Sequence, residues 1–303
     1  MAMRVATFGL SEQMIASALR TQSIVAEKQT QESSGSVSTD FGGYGSSTQQ
    51  ILNLQVSVTR SQSYIDAATQ ADSKLQVMSS TVSSIADVLT QFRSLLTSAS
   101  NSASTNSTSV KQSAQDLLKQ LGSLLNTQYD GAYLFGGSRT DQAPVNVSSP
   151  TYTTSTSPSS VNTSYYQGDD QLASVRVSDS QTVTYGVSAD NTAFEQALRA
   201  MNLVANNSPL STSTLNEALD LTTSAVDAVG VVRSGIANSA SSIETASSHQ
   251  TDYQSFAKDL GSSLTSVDVA AVTAQLSTYQ AQLTASYSAI SKIQSLNLAS
   301  YLH

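Results

Sequence analysis

Length, charge and cysteine content exclude several classes of protein. The chain has 303 residues, enough for two or three folding units, with a net charge of −8 and only 12% charged residues. Its 14 basic residues are scattered singly, which argues against binding to nucleic acid or to an anionic membrane, and the lack of cysteine excludes disulfides, thiolate metal sites and cysteine nucleophiles.

The N-terminal region predicts neither a cleaved leader nor a helix that is stable alone. The first ten residues contain one Arg and no apolar run of the length that a signal peptide needs. A weak stripe of residues at helical spacing follows, with one polar member; its residues are Ile15, Ala18, Gln22 and Val25. We expect residues 1–40 to order only on assembly, because a helix with so few apolar contacts is marginal. We also expect the chain to be cytoplasmic or exported without leader cleavage.

The next segment predicts one long helix. Steps of three and four residues from Ile51 to Leu96 pass fourteen positions, of which ten are apolar. Such a repeat is typical of a coiled coil or bundle helix, here about 70 Å long at about 1.5 Å per residue. A second stripe, which predicts contact with two neighbours, comprises Met78, Ile85, Val88, Phe92 and Leu95. A further helix is predicted along Val110, Ala114, Leu117, Leu121 and Leu124.

The middle of the chain predicts a small β-rich insert. It holds all four prolines, which break helices; they are Pro144, Pro150, Pro158 and Pro209. Strand-like runs with turn residues between them occur at residues 151–153, 164–166, 174–177 and 182–185.

Two helices are predicted after the insert. The first has apolar positions at Leu215, Leu219, Val226, Val229, Ile236, Ala240 and Ile243. The second has Val269, Val272, Leu276, Tyr279, Leu283, Ile290 and Ile293, interrupted only by Ser286. Ser266 and Asp268 fit the capped first turn of this last helix.

These elements predict a mainly α fold, a long antiparallel helical bundle or coiled coil formed by both termini with a small inserted β-rich domain. We predict terminal coiled-coil arms at residues 1–45 and 262–303. A helical bundle domain is expected at residues 46–142 and 191–261, and the β-rich outer domain at residues 143–190.

Residue patterns for catalysis are missing. The two histidines, His249 and His303, cannot supply a zinc-protease motif. Asp169 and Asp170 follow Gly168 and fit a turn, and the glycine-rich Phe41–Gly45 run fits a connector between helices. We therefore predict a protein that is not an enzyme, with no catalytic residues, cofactor or metal.

Several segments resemble bacterial flagellins and their hook-associated relatives. At the N-terminus these are residues 3–7, 19–23 and 27–35, and further along the chain residues 133–141 and 165–170. The C-terminal run Ala285–Leu298, with Tyr301 and Leu302, is most similar to the hook–filament junction member of the family. The Ser38–Gly43 stretch departs from the family pattern and leaves the geometry of the first connector open.

The resemblance implies a structural subunit of the flagellum that polymerises through its terminal helices as an adaptor between hook and filament. It places the assembly contacts on Ile15, Leu19, Leu276, Leu283, Ile290, Ile293, Leu296 and Leu298. The implied partners are other copies of the chain, a neighbouring hook-associated protein, flagellin, and a cytoplasmic export chaperone that covers the C-terminal arm. It also implies an extracellular location, reached by the flagellar type III route.

Two alternatives stay open from the sequence. The chain could be a major or minor flagellin of the filament itself. More remotely, it could be a glycan-binding surface protein whose insert presents Tyr152, Tyr165, Tyr166 and Tyr185 as stacking platforms, although aromatic residues at this spacing more often pack their own sheet.

Overall fold

The computed structural model describes residues 2–101 and 107–295, and its architecture is mainly α, as predicted. The helices are α1 (Ala2–Ser34), α2 (Thr48–Asn101), α3 (Ser107–Leu125), α4 (Thr192–Asn206), α5 (Thr212–Thr265) and α6 (Val269–Ser295). The strands are β1 (Gln128–Tyr129), β2 (Ala132–Tyr133), β3 (Ala173–Arg176) and β4 (Thr182–Tyr185). A 3-10 helix at Phe41–Ser47 fills the predicted connector between α1 and α2.

The chain packs as two compact units. The first comprises Met1–Thr59 and Gln254–His303, and the second comprises Arg60–Tyr253. The helices α2 and α5 contribute residues to both. The three-part division predicted from the sequence follows composition rather than packing, and it stays a prediction.

The predicted stripes of α2 form the core of the second unit. Leu75, Val82 and Leu89 of the first stripe are buried, as are Ile85 and Phe92 of the second. They share one apolar cluster with residues of α3, α4 and α5, while α3 and α4 pack against each other. Two buried stripes agree with the predicted contact of α2 with two neighbours, because such a helix needs apolar partners on both stripes; the contact itself stays a prediction.

Sequence analysis did not single out α4, which is the most buried helix of the second unit. Asn191 caps it, since the Asn191 side chain accepts a hydrogen bond from the Ala193 amide at 3.0 Å. Phe194 packs edge-on against Phe135 with ring centroids 6.0 Å apart. The sequence does contain a signal for α4, a capping residue followed by an apolar run, but at 15 residues this helix is much shorter than the predicted arms.

The strands of the insert are fewer than predicted. Residues 174–177 and 182–185 do pair, with Ala173 opposite Tyr185 and Arg176 opposite Thr182. The strands predicted at 151–153 and 164–166 are wrong, because these residues form turns and bends with one isolated bridge between Val145 and Tyr166.

A second hairpin, β1–β2, was not predicted. Its turn is Asp130–Gly131, and both residues have positive φ angles, 51° and 75°. An Asp-Gly pair is a strong signal for such a turn, because glycine takes positive φ without a Cβ clash and Asp tolerates it.

Polar side chains of the neighbouring helices take the place of a strand ladder beside residues 151–164. The Glu195 carboxylate accepts a hydrogen bond from the Asn162 amide at 3.0 Å, and the Asn202 side-chain oxygen accepts one from the Ser155 amide at 3.1 Å. The Glu217 carboxylate of α5 accepts one from the Ser159 amide at 2.7 Å. Backbone groups in a packed region need partners, and here helix side chains provide them.

A buried ion pair anchors this arrangement. Glu195 and Arg199 are 3.0 Å apart, and their side chains are only 2% and 10% exposed. Arg199 also donates to the Ser159 hydroxyl at 3.2 Å. Each charge needs the other, because an isolated charge in such a site loses its hydration without compensation.

We predict that Glu195→Ala destabilises the protein by about 3 kcal/mol, since it leaves Arg199 buried without its partner and the Asn162 amide without an acceptor. Urea unfolding followed by circular dichroism measures the change. The matched control is Glu244→Ala on exposed α5 surface, with an expected effect within about 0.5 kcal/mol. Equal effects of the two variants would contradict the structural role of the pair.

The Glu217 site also predicts a dependence of stability on pH. Burial acts to raise the pKa of Glu217, but hydrogen bonds from Ser157 and Ser159 outweigh burial and hold the pKa below its ordinary value of 4.5. The stabilisation is therefore fully present above the unfolded-state pKa and is lost as the pH falls through the folded-state value. Urea midpoints between about pH 6 and pH 3 should fall less steeply in Glu217→Gln than in the parent. Asp220→Asn, exposed on the same helix, controls for the loss of one negative charge.

Candidate assembly surface

The first unit joins the end of α1 to the start of α6. Gly35, with φ of +66°, ends α1, and its amide donates to the Gln31 carbonyl at 2.9 Å. This is the usual role of a glycine just after a helix. The chain then forms a bridge between Ser36 and Ser266, in which the Val37 amide donates to the Thr265 carbonyl at 2.8 Å.

Asp268 caps the last helix, as predicted. Its side chain accepts a hydrogen bond from the Ala271 amide at 3.1 Å, which satisfies one of the free amides of the first turn. The Thr273 hydroxyl, one turn further, donates to the Glu32 carboxylate of α1 at 2.7 Å. These contacts set α6 antiparallel to α1.

Gln31 ties the last turn of α1 to the connector. It is 7% exposed, and its side-chain amide donates to the Val37 carbonyl at 2.9 Å and to the Glu27 carboxylate at 3.2 Å. Its side-chain oxygen accepts from the Lys28 ammonium at 3.0 Å. Helical periodicity does not identify this residue, because its contact with Val37 lies in the connector after the helix.

The residues predicted to make assembly contacts differ in how deeply they are buried. Leu276 is buried within its own unit at 7% exposure, while Leu283, Ile290 and Ile293 are half-buried along α6. Ile15 and Leu19 are 40% and 60% exposed on α1. Leu296 and Leu298 lie outside the described residues.

The exposed and buried apolar residues of α1 lie on different faces. Ala18 and Val25 are buried in the α1–α6 pair, together with Val272 of α6. Ile15 and Leu19 are one helical turn apart on a face that this pairing leaves uncovered. That residues 1–40 order only on assembly stays a prediction, although the described part of α1 is helical here.

Sequence analysis missed further exposed apolar side chains in the same unit. They are Val37, Phe41, Leu52, Val56 and Phe256. Helical periodicity identifies the apolar stripe that packs within the chain, and these residues lie beside that stripe. Exposed apolar surface of this kind is available for contact with another protein.

Three of the four tyrosines predicted as stacking platforms are not available for that role. Tyr152, Tyr165 and Tyr185 are buried, and Tyr152 and Tyr165 pack edge-on with centroids 5.3 Å apart. The Tyr165 hydroxyl donates to the Ala189 carbonyl at 3.0 Å, and burial raises the pKa of Tyr165. The partly exposed Tyr166 donates its hydroxyl to the Asp169 carbonyl at 2.6 Å. The structure therefore does not favour the glycan-binding alternative.

Residues 2–101 and 107–295 lack two other classes of site. Within these ranges no group of three or more His, Asp or Glu side chains could hold a metal ion. None of the helices described there is long and apolar enough to cross a membrane.

Comparison with known proteins matches residues 5–140 to the bacterial flagellin N-terminal helical region. No curated protein sequence matches the chain. Among solved structures, a flagellar hook-associated protein of Vibrio parahaemolyticus is similar with a TM-score of 0.60 and 16% identity, over 72% of this chain and 97% of that one. The flagellar junction protein FlgL of Legionella pneumophila is similar with a TM-score of 0.53 and 15% identity, over 70% and 98%.

We predict that Gln31→Ala loosens the α1–α6 junction by about 1 kcal/mol, because it leaves the Val37 carbonyl without its donor. Hydrogen exchange of the Val37 and Val267 amides, which donate to Thr265 and Gly35, should become several times faster. Gln29→Ala, exposed on the same helix, is the control. Equal exchange in both variants would show that Gln31 does not hold the junction.

Proposed function

We propose that this chain, which carries the bacterial flagellin N-terminal helical region at residues 5–140, is a structural subunit of the flagellum that acts as the adaptor between hook and filament. It polymerises through its terminal helices. The family match and the fold shared with hook-associated proteins support this function.

The observation that carries the proposal is the uncovered apolar surface of the first unit. Leu19 is 60% exposed and Phe256 is 62% exposed in the single chain, and assembly would bury both against neighbouring subunits. Burial of such a side chain against a neighbour contributes roughly 1.5–3 kcal/mol before the entropy of association is subtracted. Assembly is therefore stabilised by burial of apolar surface that the single chain exposes to water.

The charge content fits the same function. Charged residues make up only 12% of the chain, so neighbouring copies repel each other weakly. Contacts between different surfaces of successive copies produce an open helical array rather than a closed ring when the rotation does not close. A subunit placed between the hook and the filament needs such contacts on both of its sides.

The proposed partners are other copies of this chain, a hook-associated protein on the hook side and flagellin on the filament side. The proposed location is extracellular, after export by the flagellar type III route without leader cleavage. A cytoplasmic chaperone would cover the C-terminal arm before export, and the half-buried Leu283, Ile290 and Ile293 give it an apolar surface to bind.

Deletion of the gene tests the function. We expect electron microscopy to show intact hooks without filaments, with filament protein released into the medium. Partial or altered filaments would identify the chain as one flagellin among several. Unchanged flagella would refute the flagellar role.

We predict that Leu19→Gln abolishes motility while leaving the isolated protein as stable as the parent, because the side chain is exposed in the single chain and buried only on assembly. Complementation of the deletion strain and thermal unfolding measure the two effects. Gln13→Ala, at another exposed position of α1, should restore motility. Loss of motility accompanied by a lower unfolding temperature would instead assign Leu19 to the fold.

A further inference from the structure

An apolar groove lies between α2 and α5 in the first unit. Its open volume is about 430 Å³, and its lining includes Ile51, Leu54 and Val58 of α2 and Ala257, Lys258 and Gly261 of α5. Ile51 and Ala257 are almost fully buried and form its floor. A Cβ at Gly261 would meet no heavy atom within 4 Å, so the groove has a notch at that point.

The rim of the groove carries a positive charge. Lys258 is exposed, and its ammonium donates one hydrogen bond to the Gln254 side chain at 2.9 Å. A lysine ammonium has three donor hydrogens, so it can also bind a carboxylate from outside the chain.

The uncovered face of α1 has the complementary pattern. Glu12, Ile15 and Leu19 are all exposed and follow one another at helical spacing on this face. Glu12 precedes Ile15 by three residues and Leu19 by seven, and Lys258 precedes Gly261 by three and Thr265 by seven. In a parallel alignment of α1 with α5, Glu12 therefore meets Lys258 while Ile15 meets the notch at Gly261.

We propose that the groove of one copy receives the Glu12–Leu19 face of α1 from a second copy, with α1 parallel to α5 and Ile15 seated over Gly261. The contact joins two different surfaces, so it can be repeated from copy to copy. This inference rests on the proposed self-assembly and names the surfaces that make it.

Disulfide trapping tests the contact in the full-length chain. The parent has no cysteine, so Ile15→Cys and Gly261→Cys can be prepared as separate single variants and mixed before assembly. A disulfide needs Cβ atoms about 3.5–4.5 Å apart. We expect oxidised assemblies to contain the mixed dimer, identified by mass spectrometry of the linked peptides.

The matched control replaces Ile15→Cys with Gln13→Cys, which is exposed and lies about 160° around the helix from residue 15. The control mixture should give at least several times less mixed dimer. Equal yields, or no mixed dimer in assemblies that sediment normally, would overturn the groove contact and leave the proposed function standing. Failure of both mixtures and of the parent chain to assemble, with normal flagella in the deletion strain, would refute both.

A charge exchange gives a second measurement that does not need a cysteine. Glu12→Lys and Lys258→Glu should each lower the rate of assembly about two- to fivefold, and the double variant should restore it. Both positions are exposed, so all three proteins should fold. A double variant that assembles no better than the two single variants would contradict the pairing.

Discussion

Antiparallel pairing of the two chain halves is the interaction on which the rest of the structure depends. In the first unit, the Val37 amide donates to the Thr265 carbonyl at 2.8 Å. In the second, the Ser61 hydroxyl donates to the Gln250 carbonyl at 3.0 Å. Residues far apart in sequence must therefore meet before either long helix has a partner for its apolar stripe, and helices of this kind owe most of their stability to such packing. In the sequence, the hairpins and α4 lie between these two halves.

Within the second unit, side chains of α4 stabilise a segment that has no regular secondary structure. Residues 151–164 have no strand partner, yet their amides are bound by Glu195, Asn202 and the neighbouring Glu217. Placing carboxylates and an arginine beside a packed core costs free energy unless each group is paired. The Glu195–Arg199 ion pair meets that condition. Residues 151–164 are consequently held by helix side chains rather than by a sheet, and the loss of either carboxylate leaves a backbone amide without its acceptor.

The first unit differs from the second in what it leaves uncovered. Leu19, Val56 and Phe256 are exposed, and only 12% of the residues are charged, so under the proposed function electrostatic repulsion between copies is weak. Under the proposed function these side chains contact a neighbouring subunit. The groove over Gly261 and the face of α1 provide two such surfaces on one molecule, which is what a repeating contact requires.

The sequence by itself determined the helical arms, the long seam of α2, the cap at Asp268 and the β3–β4 hairpin, since each depends on local periodicity or on one capping residue. The resemblance to bacterial flagellins was also evident from the sequence, and it is confirmed over residues 5–140. Only the tertiary structure decided that residues 151–153 and 164–166 are not strands, because their hydrogen-bond partners come from helices remote in sequence. The same reason applies to the residues predicted to make assembly contacts. A heptad pattern identifies apolar positions, but the packing of α6 against α1 decides that Leu276 is buried while Leu19 remains exposed.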